Sequence, residues 1–436
     1  MVIASKLTRG RVARLATYLV LLGPAAGLLG AQASAAAEAP AAAIGAAGLG
    51  RAPGLGRSIP MPGRSSALNA VSCPSSTNCW AVGGYESTTG PTGLNQTLHW
   101  NGSAWSKVSA PSPGSEFNNL LGVSCTSAKN CWAVGEDNAI NGPTVGQALH
   151  WNGSTWSQGK VPNPSSIFDE LFGVRCTSAA NCWAVGEDTS NSGALLNEAL
   201  HWNGTKWSSA TIPSPGGTTN GLSELSGVFC TSASDCWAVG SYSTNGGGFF
   251  LNQALHWNGA SWTQATTPNP GGTASGATSE LVSGACTSPG NCWAVGDYGT
   301  LSIAGVRVNQ ALHWDGTSWS LVSTPDPNGT GTGAVNSLHD VTCTSATNCW
   351  AAGDYGIASG SSFSLNDALH WDGSQWSQAT TPNPGGTADG DGNELAGIRC
   401  PTSTLCWAVG KTQTLGKPQP HVNEALRWNG TTWSTG

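Results

Sequence analysis

The chain has 436 residues, of which 60 are Gly and 24 Pro, a composition that leaves little room for long helices. Only 9% of the residues are charged, far below the ~25% of average domains, which excludes a disordered polyelectrolyte. The formal net charge is −7 and no cluster of Lys and Arg follows Arg64, so a nucleic-acid partner, whose phosphates require such clusters, is excluded as well.

The first predicted element is a secretory signal peptide over residues 1–35. Lys6, Arg9, Arg11 and Arg14 form a basic opening, an apolar run extends from Leu15 to Gly30, and Ala31, Ala33 and Ala35 supply an A-x-A cleavage region. An uncleaved anchor is the competing reading, against which Gly23, Pro24 and the modest apolar length weigh. Cleavage leaves 13 Lys+Arg against 24 Asp+Glu, a charge of −11, and no later stretch is apolar for long enough to span a bilayer. A secreted, extracellular protein with no membrane attachment is expected. Residues 36–56 are Ala, Gly and Pro with few bulky side chains and read as a linker.

From residue 57 to 436 the chain is one unit copied seven times. C-x5-C-W begins at Cys73, Cys125, Cys176, Cys230, Cys286, Cys343 and Cys400, at intervals of 51 to 57 residues. About 20 residues after each strand-like C-W comes A-L-H-W-N-G or a variant, and five residues later another Trp, which accounts for all 14 Cys and all 21 Trp. Four short strands fit each unit: A before the first Cys, B at C-W-A-V-G, C at A-L-H-W, and D at the third Trp. Asn-Gly, or Asp-Gly at Asp315 and Asp372, marks the turn between C and D, with a loop of two or four residues. Strands B and C are apolar at consecutive positions, as expected for sheets covered on both faces. Repeats of this length with this pattern predict an all-β fold, a seven-bladed β-propeller of four-stranded antiparallel blades, expected as a monomer.

The run Cys79–Gly84, C-W-A-V-G-G, resembles the kelch strand that ends in a glycine pair, and Leu98–Trp105 resembles the aromatic, turn and Trp segment of the same repeat. The chain is thus similar to kelch-type propellers, the group of the galactose-oxidase central domain. Its N-G-x-x-W turn is also similar to the Asp-box of sialidase-like propellers. Only the first copy carries both glycines, and the cysteine pair is an addition. Both resemblances imply a propeller, and neither transfers a catalytic residue to this chain. The copper chemistry of galactose oxidase is not expected, because the four tyrosines after the signal peptide are spread over four units.

A Pro-x-Pro signal links D to the next A in six places, is missing after the last unit, and recurs at Pro60 and Pro62. Residues 57–62 are therefore expected to complete the outer edge of the last blade. The cysteines of an exported protein at this spacing read as one disulfide per blade: Cys73 with Cys79, Cys125 with Cys131, Cys176 with Cys182, Cys230 with Cys236, Cys286 with Cys292, Cys343 with Cys349 and Cys400 with Cys406. Zinc, the alternative, would need two further ligands per pair. Each bridge closes a short loop, worth at most about 2.4 kcal/mol by chain entropy.

Short, uniform A–B and C–D turns fall at one end of the ring, and variable B–C and D–A loops at the other, where recognition is expected. Five residues after each strand B Trp stand Tyr85, Asp137, Asp188, Tyr242, Tyr298, Tyr355 and Thr412, preceded by Gly84, Glu136, Glu187, Ser241, Asp297, Asp354 and Lys411. Aromatic rings beside carboxylates suit sugars or peptide segments; the plainer alternative is that the tyrosines cap packing between blades. The repeated His99, His150, His201, His256, His313 and His370 are expected to be hydrogen-bonded structural residues, and the Asp389-x-Asp391-x-Asn393 run a solvated loop and not a calcium site. No cofactor and no catalytic motif is identified. The resulting expectation is a non-catalytic binding or scaffolding module for a polysaccharide or an extracellular protein. A carbohydrate-acting hydrolase or lyase using the rim carboxylates is the alternative.

Overall fold

The computed structural model describes residues 59–436 except 91, 141, 166, 245–247, 300–304, 358–363, 415 and 417–420. The expected signal peptide, the linker, Arg57 and Ser58 lie outside the described residues. Seven separate four-stranded antiparallel sheets follow one another along the chain, each ordered A-B-C-D. In blade 1 the strands are Ser66–Ser75, Asn78–Glu86, Gly93–Trp100 and Trp105–Val108. The inner strands of blades 2 to 7 are Phe117–Ser127, Asp169–Ser178, Leu222–Ser232, Thr278–Ser288, Ala334–Ser345 and Gly392–Thr402. The seven-bladed propeller is thus present, with seven disulfides joining strand A to strand B inside each blade.

Tryptophan holds the wedges together. The strand B indole of each blade is almost fully buried and packs on both later tryptophans of the next blade: Trp80 lies 4.6 Å from Trp151 and 5.1 Å edge-on from Trp156. The same triad recurs around the ring, and its last member closes the circle, because Trp407 of blade 7 lies 4.8 Å from Trp100 and 5.2 Å from Trp105 of blade 1. Aromatic pairs at these separations add to simple area burial. Closely approaching inner strands require small residues: a Cβ on Gly397 would stand 3.0 Å from the Ala70 Cα of the first blade.

The C–D loop has four residues, settling the alternative left open by the sequence. Trp100 pairs with Trp105, Gly102 adopts φ 95°, and the Asn101 side chain accepts from the backbone N–H groups of Ser103 and Ala104. At Asp315 and Asp372 the same turn donors, a Thr or Ser hydroxyl foremost, hold the carboxyl down to about 2. The histidines are structural: each stacks on its own strand B Trp and meets an Asn or Asp side chain, as His150 meets Asn130 at 2.8 Å. Where Arg427 replaces histidine, the partner position is Leu405.

A second belt links the blades by amide pairs. Asn95 Nδ2 donates to Gln147 Oε1 of the next blade (2.7 Å) and to Pro111 O (2.8 Å), while Gln147 Nε2 returns a bond to Asn95 Oδ1. Asn197 and Asn252 do likewise with Gln253 and Gln310. In blade 7 the proline carbonyl of this set comes from the other end of the chain: Asn423 Nδ2 donates to Pro60 O at 2.7 Å, and Ile59 packs on the cluster containing Trp105 and Trp407. Strand D of that blade is its own Trp433–Thr435.

A chain starting at Ala67 is expected to melt several degrees below one starting at residue 36, measured by differential scanning calorimetry, and equal melting temperatures would refute a stabilising role for residues 57–62. Trp407→Ala should cost about 3–5 kcal/mol in chemical denaturation, the usual range for a buried Trp truncation.

Candidate functional site

The A–B and C–D turns touch at one end of the molecule, where Gly102 lies against Thr77. The B–C and D–A connections meet at the other, where Asn95 N donates to Ser112 Oγ. At this second end the strand B carboxylates converge on the inner strands. Register pairs Glu187 with Glu170, Asp188 with Asp169, Asp297 with Glu280, and Lys411 with Glu394.

Strand alternation separates each rim tyrosine from the carboxylate before it. Residues of the Trp80 parity face the next blade, so Asp297 accepts a 2.7 Å bond from Ser337 Oγ of blade 6. Residues of the Tyr85 parity face the preceding blade. A carboxylate therefore shares a groove with the tyrosine of the following blade: Glu187 with Tyr242, and Asp297 with Tyr355. The four tyrosines are half-buried. Lys107 donates to Tyr85 Oη at 3.1 Å and lies over its ring, while Tyr355 is bonded to Gln378 and Tyr298 is raised by burial and by Asp326.

The mouth has two electrically different halves. Around blades 2 and 3 lie Glu136, Asp137, Asp169, Glu170, Glu187 and Asp188, with Glu198 behind them. Burial raises Asp137 to about 6, with Glu136 adding to it, and Asp169 to about 7. Burial, then the charges of Asp169 and Asp188, lift Glu198 to about 9. Gly146 stands where the other blades carry the belt asparagine, so Glu198 lacks the amide partner that Gln147 and Gln253 have, and both its carboxyl oxygens are unpartnered among the described residues.

Blades 5 to 7 instead carry mixed charge. Arg307 contacts Asp297 at 2.8 Å and Glu280 at 3.9 Å, and Lys411 contacts Glu394 at 2.9 Å. His339 Nδ1 lies 3.2 Å from the Leu395 carbonyl, which can only accept, so this nitrogen carries the proton. Nε2 then faces Asp354 Oδ1 at 3.4 Å as a bare lone pair in the neutral ring. Burial lowers His339 and raises Asp354, the latter helped by the Glu394 charge. Burial would also raise Glu394, but Lys411, by its charge and its hydrogen bond, holds it low. Arg307, Asp354 and Glu394 keep 21%, 19% and 25% of their side-chain surface open, so solvent reaches this cluster.

Arg307, His339, Glu394, Glu280 and Asp169 were not among the sequence candidates. All lie on the inner strand or just before strand C: His339 and Arg307 depart from the repeat, whereas Glu280 and Glu394 recur with Glu170 and Glu224 six residues before the first Cys of their units. Among the described residues no group of His, Cys, Asp or Glu is arranged to hold a metal ion. The Asp389–Asn393 run serves its own loop: Asn393 accepts from Gly385 N and donates to Gly386 O, and Asp391 accepts from Ala388 N.

No family model matches the chain, and no curated protein matches it. Solved structures do. A polysaccharide lyase, an ulvan lyase, aligns with TM-score 0.52 at 8% identity, covering 85% of this chain and 96% of its own. The xyloglucanase of Xanthomonas campestris aligns with TM-score 0.51 at 12% identity over 84% of this chain and 55% of its own. YCF48 bound to a D1 peptide aligns at 14% identity, TM-score 0.47, over 85% and 95%. At these identities the likeness is one of fold.

The belt supplies a pH test. Asn309 donates to Asp367 and Asn366 to Glu424 where blades 1, 2, 4 and 5 have Gln; burial raises Asp367 to about 7 and Glu424 well above its ordinary value. Carboxyls of the unfolded chain ionise near pH ~4. Their stabilising contribution is therefore complete below that pH and is lost as pH rises through about 7 for Asp367 and about 9 for Glu198. The melting temperature should fall by several degrees from mildly acidic to alkaline buffer, and Asp367→Asn with Glu424→Gln should flatten the slope.

Proposed function

We propose that this protein is an exported binding propeller that holds a polysaccharide across the end formed by its B–C and D–A loops. The observation that carries this reading is the blade 2 and 3 mouth, where Asp137, Asp169 and Glu198 are pushed toward the neutral form. A neutral carboxyl both donates and accepts, which matches sugar hydroxyls better than it matches a cation. Half-buried tyrosines in the adjoining grooves add stacking surface. Seven disulfides support work outside the reducing cytoplasm. The kelch-type affiliation belongs to the same proposal, supported by Gly83-Gly84 and the turn before the third Trp.

A second reading, a carbohydrate-acting enzyme, is favoured by one observation: His339 and Asp354 stand 3.4 Å apart beside Lys411 and Glu394, a cluster whose groups are able to give or take a proton at a bound sugar.

Glycan-array binding followed by assays for reducing ends and unsaturated products separates the two. Retention without product supports the binding module; turnover that is lost in Asp354→Asn supports the enzyme; capture of neither, with an extracellular protein bound instead, overturns the polysaccharide assignment. Tyr242→Ala, whose ring lies in the groove shared with Glu187, is expected to weaken binding of a retained glycan about tenfold, equivalent to ~1.4 kcal/mol.

A further inference from the structure

One step of the amide belt lacks its side chain. The position is Asn in six blades and Gly146 in blade 2. Register sets Gly146 opposite Glu136 as it sets Asn95 opposite Gly84 and Asn197 opposite Glu187. Its backbone N–H donates to Asn163 Oδ1 (2.9 Å) as that of Asn252 donates to Asn269 Oδ1 (2.7 Å). The walls are those of the other blades. A Cβ on Gly146 would stand 3.2 Å from Leu171 Cγ of blade 3, and a leucine holds that step, five residues before the first Cys, in all seven units. Asparagine is accommodated beside the same leucine elsewhere, so the seam between blades 2 and 3 keeps the space of one carboxamide open.

Two groups that this carboxamide serves in other blades lack it here. Each of the six asparagines donates from Nδ2 to a proline carbonyl, such as Pro111 O in blade 1 and Pro60 O in blade 7; the corresponding carbonyl in blade 2 belongs to Pro162. Across the seam stands Glu198, 5% exposed, with both carboxyl oxygens unpartnered among the described residues. Where blades 6 and 7 carry an acid at the same step, an asparagine meets it: Asn309 Nδ2 donates to Asp367 Oδ2 at 3.0 Å, and Asn366 Nδ2 to Glu424 Oε1. Glu198 is the belt acid that meets no amide.

We propose that this gap takes the acetamido group of an N-acetylated hexosamine, an inference that rests on the polysaccharide reading and names the sugar unit. An asparagine side chain is a methylene carrying a carboxamide, and an acetamido group is a methyl carrying the same planar unit. Its N–H supplies the donor for Pro162 O, and its carbonyl accepts the proton that burial keeps on Glu198. In a trans amide the two point in opposite directions, which suits acceptor and donor on opposite walls. An O-acetyl group lacks the N–H, and a lone hydroxyl lacks the bulk of the missing side chain. Two residues nearer the rim, about 7 Å, the walls carry Thr144 and, from blade 3, Asp188 and Leu196, all half-buried. There the pyranose ring finds an apolar contact and an acceptor for its hydroxyls, while the acetamido group points down the groove.

The probes are acetamide, read by saturation-transfer NMR on its methyl signal, and N-acetylglucosamine, N-acetylgalactosamine, glucosamine and glucose, read by titration calorimetry of the chain from residue 36. Acetamide and at least one N-acetylated sugar are expected to bind at one site per chain, with glucosamine and glucose at least tenfold weaker. Gly146→Asn, which supplies the missing group from within, should melt no lower than the parent and lose both responses at least tenfold. Glu198→Leu should lose them as well, and Glu198→Gln, which installs the partner found in four other blades, should retain them. No acetamide signal in the parent, an equal signal in Gly146→Asn or Glu198→Leu, or a lower melting temperature of Gly146→Asn overturns the inference. Array retention of a glycan without N-acetyl groups, equal in parent and Gly146→Asn, overturns it too and leaves the polysaccharide reading intact. A response to acetamide with none to either N-acetylated sugar overturns the sugar assignment and points to an Asn or Gln side chain of a protein.

Discussion

Closure of the ring depends on one contact made seven times, the indole of strand B set between the two later tryptophans of the next blade. Each sheet is complete within its own repeat. Near the loop end backbone bonds cross between blades, as Arg307 N donates to Ala334 O and Ser66 N to His421 O, but the body of each seam is held by side chains. A buried Trp is the side chain with the most area to offer, and because Trp407 reaches Trp100 and Trp105 as Trp80 reaches Trp151 and Trp156, the seam between blades 7 and 1 is built like every other.

The amide belt performs a second task at a different radius. It satisfies buried polar groups that neighbouring blades would otherwise leave bare, reciprocally in the pairs Asn95–Gln147, Asn197–Gln253 and Asn252–Gln310. Asp367 and Glu424 accept the Asn bond in the amide's place, and an acid there turns a neutral pair into a titratable one. Glu198 has lost even the amide, and burial, reinforced by the charges of Asp169 and Asp188, makes it reluctant to ionise.

Blade number, strand order, disulfide pairing and the structural role of the histidines were legible in the sequence, because each depends on spacing that repetition amplifies. Seven copies of C-x5-C at a hairpin leave no other partner within reach. The site was legible only in part. The rim carboxylates and tyrosines were found from their shared position, but a linear string does not show that Asp297 and Tyr298 point into different grooves while Asp297 and Tyr355 share one. The remaining charges are harder to read for the opposite reason: Arg307 and His339 each occur in one copy only, and a consensus erases exceptions. Chemistry in a repeat protein collects where the copies disagree.

The disulfides lie at the turn end, between residues that face one another across a single hairpin, as Cys125 faces Cys131. They cross no seam and touch no variable loop. A reductant would thus slacken the floor of individual wedges one after another, with no master bond whose rupture springs the circle. Toughness and recognition sit at opposite poles of the molecule, which leaves the loop pole free to diversify without risk to the part that withstands the environment.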